Sequence, residues 1–243
     1  MVLLRRQRKR KRLSPNQRVT VIDKSRHCQE TANNMDAIEI RPETGVEPRG
    51  ALVLLHGWGA NARDLASLLP ILDLPDYLCF CLEAPLLHPL VPGGKMWYDL
   101  ETQAYTGLEQ SRAELAAWLD DFEDRAGIPL SQTILGGFSQ GGAMTLDVGF
   151  HYPLAGLVAM SGYLHGEPQF REPIPPVLVM HGRFDRVVPL TAAQRTRDTL
   201  TAAGAVVEYH EFDMAHEICP LEVLRLQQFS LKVLESPETE SLG

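Results

Sequence analysis

Six short, nearly uninterrupted apolar runs punctuate the chain, at 51–55, 77–82, 133–138, 157–160, 177–181 and 206–212. Continuous runs of this length predict parallel strands covered on both faces, because only such strands bury every side chain. Between them lie segments whose apolar residues recur every three or four positions, at 61–72, 108–126, 141–151, 191–203 and 221–234. The second is the longest, with Leu115, Trp118, Leu119 and Phe122 on one stripe. Strands that alternate with helices predict an α/β fold, a mostly parallel central sheet with helices on both faces.

The 243 residues suit one such domain. It is expected over 35–236, followed by a disordered tail at 237–243. No run approaches the roughly 18 apolar residues of a membrane span, and the opening residues lack the apolar core and cleavage site of a secretory signal. Cys28, Cys79, Cys81 and Cys219 show neither zinc-ligand nor redox spacing. A reducing, cytoplasmic location and the absence of a metal are the expectations. The net charge of −8 is uneven. Residues 1–34 carry ten Lys/Arg against two acids, while the rest carry 13 against 29. An acidic body excludes nucleic acid as the expected partner of the folded domain. The basic run from Arg5 to Arg12 suits an anionic surface, but the stretch lacks the apolar residues that would order it, so 1–34 is expected to be a disordered extension, with Met35 a possible true start.

The chemistry centres on Gly137-Phe138-Ser139-Gln140-Gly141-Gly142. This Gly-x-Ser-x-Gly pattern sits between a predicted strand and a predicted helix, the setting of a nucleophile elbow. A serine hydroxyl needs a base to take its proton, and a third group to orient that base. His216 lies in a loop between the last strand and the last helix, where a base would project. His181 and His210 fall at or inside strands. Asp185 follows the fifth strand and is the expected acid; Asp213 is its rival, three residues before His216. An oxyanion hole needs two backbone N–H groups. Gln140 follows the nucleophile, and Trp58 lies in the Gly-flanked loop His56-Gly57-Trp58-Gly59.

These blocks, together with His181-Gly182-Arg183-Phe184-Asp185-Arg186-Val187-Val188-Pro189, Met214-Ala215-His216-Glu217-Ile218, Trp97-Tyr98-Asp99 and Ser161-Gly162-Tyr163-Leu164, resemble the phospholipase/carboxylesterase family of α/β hydrolases, which includes acyl-protein thioesterases and small bacterial carboxylesterases. The resemblance spans 36–235. It implies an α/β-hydrolase fold with no large lid domain, with Ser139 as nucleophile, Asp185 as acid, His216 as base, and Trp58 and Gln140 as oxyanion donors. It also implies a substrate groove built from Trp58, Leu86, Leu87, Met96, Trp97, Tyr163 and Leu164, with the Gly/Pro-rich segment 86–96 as a flap. The family often carries Leu where Trp58 stands, and the larger side chain would narrow an acyl pocket. The implied substrate is a short- to medium-chain acyl ester or thioester, a lysophospholipid or S-acyl group included, with no cofactor. A monomer or homodimer is expected. A serine peptidase, an acyltransferase and a non-catalytic pocket-binding relative stay open as alternatives.

Overall fold

A computed structural model of the protein describes residues 19–21, 35–42, 45–102 and 104–235. Its strands are β1 (Val19–Val21), β2 (Ala37–Ile40), β3 (Gly50–Leu55), β4 (Tyr77–Leu82), β5 (Leu86–Leu87), β6 (Lys95–Met96), β7 (Thr133–Phe138), β8 (Gly156–Met160), β9 (Val177–Gly182) and β10 (Val207–Phe212). Eight of them form one sheet in the order β1-β2-β4-β3-β7-β8-β9-β10, and β5 pairs with β6 alone. From β4 to β10 all pairings are parallel, while β1 and β2 add an antiparallel edge. This is an α/β-hydrolase fold, and among the described residues no large lid covers it. The five strands β3, β4, β7, β8 and β9 are buried throughout, as continuous apolar runs require. Each buried Leu, Val or Phe contributes about 1.5–3 kcal/mol relative to exposure.

The helices are α1 (Ala62–Ala66), α2 (Leu69–Leu72), α3 (Leu108–Asp120), α4 (Phe122–Ala126), α5 (Gln140–Gly149), α6 (Leu190–Ala202) and α7 (Pro220–Val233). Residues of α3, α4, α5 and α6, among them Leu115, Trp118, Phe122, Met144 and Leu200, share one core cluster. Those of α1, α2 and α7, among them Leu65, Leu72, Val223 and Phe229, share the other. The sheet therefore separates two apolar layers.

Four expectations change. The sixth apolar run forms β10, an edge strand half-buried along its length rather than covered on both faces. The helix over 61–72 is two short helices: Asn61 caps α1 by accepting from Arg63 N at 3.0 Å, and Pro70, which has no N–H to donate, sits in the first turn of α2. The helix over 108–126 breaks at Asp121 and ends at Gly127, whose φ of 70° suits glycine. Within the N-terminal extension, the β-branched Val19-Thr20-Val21 pairs with Ile38–Ile40 of β2 rather than being without structure. The remainder of that extension, the basic run included, and the tail from 236 onward lie outside the described residues. Among the described residues, no helix is long and apolar enough to cross a membrane.

Candidate active site

Ser139 leaves β7 and precedes α5 with φ 56° and ψ −118°, a conformation that L residues rarely adopt. The flanking glycines explain how the turn closes. A Cβ on Gly137 would lie 2.7 Å from Gly142 N, and one on Gly141 would lie 2.6 Å from His56 O. Only bare backbone allows the strand end, the turn and the helix start to cross so closely. The Ser139 N–H donates to Met160 O at 2.8 Å, which ties the elbow to β8.

Two loops then converge on the Ser139 hydroxyl. Gly182 ends β9 where a Cβ would meet the carbonyls of Met214 and Ala215, so the loops after β9 and β10 touch there. Arg183 N donates to Phe212 O at 2.8 Å and Phe184 N to Met214 O at 3.0 Å. This stapling brings His216 against Asp185. His216 Nδ1 lies 2.7 Å from Asp185 Oδ2, and His216 Nε2 lies 2.9 Å from Ser139 Oγ. A carboxylate only accepts, so Nδ1 carries the proton and Nε2 is left to accept from the serine. Asp185 Oδ1 accepts from Val187 N at 2.8 Å and Val188 N at 2.9 Å, which satisfies a side chain wholly removed from water. Asp213 is exposed and pairs with Arg183 at 2.7 Å. His181 Nε2 donates to Val188 O at 2.9 Å, and His210 pairs with Glu208 at 2.8 Å.

The loop after β3 is held against the elbow, with a Cβ on Gly57 falling 3.4 Å from that of Ser139. His56 Nε2 accepts from Ala84 N at 3.0 Å, so Nδ1 bears the proton and donates to Gly57 O at 2.8 Å. Burial pulls this imidazole down to about 4, so it stays neutral. Gly59 N donates to Lys95 O, and Lys95 N to Ala60 O, both at 2.8 Å. Among the described residues, the Trp58 N–H has no acceptor. The Gln140 N–H opens α5 and so has no partner within the helix. The helix dipole adds positive potential there.

The expected groove residues divide. Leu86 and Leu87 in β5 pair with Lys95 and Met96 in β6, so the flap is a small hairpin. Leu87 is exposed, and Leu86 and Met96 are half-buried. Tyr163 and Leu164 line a cleft of about 300 Å³ with Thr191, Arg195 and Thr196. Trp58 is half-buried and stacks edge-on against His88, with ring centres 4.1 Å apart. Trp97 is a correction. Its ring is fully buried, its indole N–H donates to His56 O at 2.9 Å, and it packs within the core instead of facing a groove. Sequence reasoning also missed the Gln140 side chain. Its Oε1 accepts from Trp97 N at 2.9 Å and its Nε2 donates to Tyr98 O at 2.7 Å, which clamps the flap's outgoing strand to the elbow. Only its place beside the nucleophile hinted at a role.

A family model described as phospholipase/carboxylesterase matches residues 37–234. The chain belongs to the phospholipase/carboxylesterase family. It is accordingly a serine-type hydrolase of carboxylic esters or thioesters. Among relatives of this family, acyl-protein thioesterase 1 of Mycosarcoma maydis is 30% identical over 234 residues, covering 82% of this chain and 98% of the relative. The crystal structure of esterase PE8 superposes with a TM-score of 0.75 at 28% identity, covering 82% of this chain and 99% of that one. Acyl-protein thioesterase 2 of Zea mays gives 0.63 at 25% identity, with 83% and 99% covered.

Proposed function

We propose that Ser139, His216 and Asp185 are the catalytic triad of an esterase/thioesterase that cleaves short- to medium-chain acyl groups through an acyl-enzyme. The observation that carries this reading is the hydrogen-bonded chain from Ser139 Oγ through His216 to Asp185, with the serine held on a strained turn. His216 takes the hydroxyl proton as Ser139 attacks the acyl carbonyl, and Asp185 holds the imidazole in the reactive tautomer. The Trp58 and Gln140 N–H groups receive the oxyanion, an interaction for which one donor is worth about 2.7–4 kcal/mol. His216 then protonates the leaving alcohol or thiol. Water next attacks the acyl-enzyme with His216 again as base, which restores the serine. The exposed side chains Leu87 and Leu90 on the flap, and Phe184 and Val187 beside Asp185, favour an apolar acyl group. The thioester part of the reading leans on the relatives named as acyl-protein thioesterases. The described cysteines Cys79, Cys81 and Cys219 are free, which favours a reducing compartment such as the cytoplasm.

The test is fluorophosphonate labelling beside hydrolysis of p-nitrophenyl esters and acyl thioesters of increasing chain length. Native protein takes up one label and Ser139→Ala takes up none, with turnover lost. A Ser139→Ala protein that still labels or turns over ends this reading.

A further inference from the structure

A second polar chain runs through the layer of α3 and α5, away from the Ser139 hydroxyl. Asp147 on α5 accepts from Arg112 on α3, Oδ2 from Nε at 2.6 Å and Oδ1 from Nη2 at 3.0 Å. Asp147 Oδ2 also lies 3.0 Å from His165 Nδ1. His165 Nε2 is 2.6 Å from the Tyr98 hydroxyl, which is 2.6 Å from the Tyr163 hydroxyl. The path continues along Tyr98 itself, because its carbonyl receives the Gln140 carboxamide. A surface ion pair is thus joined, contact by contact, to the residue whose main-chain N–H adjoins Ser139.

The chemistry of the chain favours a fixed geometry over a reactive one. Burial pushes the Asp147 carboxyl up, but the hydrogen bonds of His165 and Arg112 outweigh it and hold the group below its ordinary value, so it is a lasting anion. The Tyr98 phenol is fully buried, and burial drives its acidity far below that of a free phenol, so it is no nucleophile. Charge-assisted bonds of this kind are short and directional. Beyond them the His165–Tyr98 contact leads along Tyr98 to its carbonyl, which with the neighbouring Trp97 N grips the Gln140 carboxamide from both sides. A cavity of about 520 Å³, lined by Arg112, Asp147, Tyr152, Leu164 and His165 and not including Ser139, opens beside the ion-pair end of this chain. Its inner end is packed: the His165 ring lies against Tyr98, Tyr105 and Tyr163, with ring centres 5.0, 6.1 and 5.7 Å apart.

We infer that Asp147 and His165 are positioning residues for the Ser139 reaction: they fix Tyr98, and through it the Gln140 side chain and the oxyanion N–H. This rests on the triad and oxyanion roles proposed above. An oxyanion donor acts in the transition state, so its displacement lowers kcat and leaves KM in place.

The experiment compares Tyr98→Phe, His165→Ala, His165→Gln and the double variant Tyr98→Phe/His165→Ala with native protein, by steady-state ester hydrolysis, end-point fluorophosphonate labelling and thermal melting. Tyr98→Phe and His165→Ala each lower kcat about tenfold or more with KM within about twofold. The double variant is no slower than the worse single one, because both act through one bond. His165→Gln, which keeps a donor and an acceptor, recovers most of kcat. All variants still label completely at Ser139. Unchanged kcat in Tyr98→Phe, which removes a single oxygen and decides the matter even where His165→Ala fails to fold, overturns the inference. So do losses that multiply in the double variant, or that follow the melting temperature with no recovery in His165→Gln. Native protein that does not label at Ser139 removes the proposed triad, and this inference with it; labelling with the kinetic outcomes just named removes the inference alone.

Discussion

Asp185 Oδ2 lies 2.7 Å from His216 Nδ1, although 31 positions separate the two residues in the chain. The nearer carboxylate, Asp213, turns to solvent and Arg183. The difference follows from the stapled loops: Asp185 also receives two backbone N–H groups, so its carboxylate cannot rotate away. Asp185→Asn would present an amide that forces the wrong imidazole tautomer, and kcat should fall by about four orders of magnitude with the fold retained. Asp213→Asn should leave kcat within about twofold. Parallel ester kinetics on the two variants check this, and equal losses would move the acid.

The elbow makes a steric prediction. Gly141→Ala places a methyl 2.6 Å from His56 O, among backbone atoms that cannot step aside. Overpacking of this kind costs about 1–3 kcal/mol, and a shift of about 1 Å at the serine costs about a hundredfold in rate. The variant should melt lower and turn over at least about a hundredfold more slowly. A normal rate would mean that the turn can relax without moving Ser139.

Ser139, Asp185 and His216 could be singled out as candidates in the sequence because each stands within about four residues of a strand's end, and most strands were marked by apolar runs. The elbow was legible for a local reason too: Gly137 lies within about one turn of Gly141 and Gly142, which a side chain there would meet, whereas Gly141 is set against His56 in a different loop. Pro70 was visible, yet the apolar spacing over 61–72 masked the break that it makes. The Asp147–His165–Tyr98 chain was not legible. Its members are joined across 18 and 67 positions by side chains whose direction no periodicity encodes. Trp97 misled for a related reason. An aromatic beside a Gly/Pro-rich flap reads as groove lining, whereas its N–H is spent on the carbonyl of His56.

That contact gives the third prediction. Trp97→Phe keeps most of the ring volume but strands a buried carbonyl, an orphaned group that costs about 1–3 kcal/mol. Melting should show the loss, while KM for a series of acyl esters should stay within about twofold of native at every chain length. A KM that rises with chain length would return Trp97 to the groove.

Glu222 gives a pH dependence of unusual sign. It is fully buried in the first turn of α7, where its Oε2 accepts from Cys219 N at 3.3 Å and its Oε1 has no partner among the described residues. Burial pushes its carboxyl up to about 8, with Asp185 and Glu217 adding to the rise. In the unfolded chain the group ionises near its ordinary value of 4.5. Between that value and about 8, the folded protein keeps a proton that the unfolded chain releases, so this residue's contribution to stability falls as pH rises. An ion-paired carboxylate would do the opposite. Glu222→Gln cannot ionise, yet its carbonyl can still accept from Cys219. The melting temperature of Glu222→Gln minus that of native protein should therefore increase steadily from pH 5 to pH 8, whatever its starting value. Melting curves across that range decide the point: a difference that is flat or shrinking would mean that Glu222 is already ionised in the folded protein at pH 5.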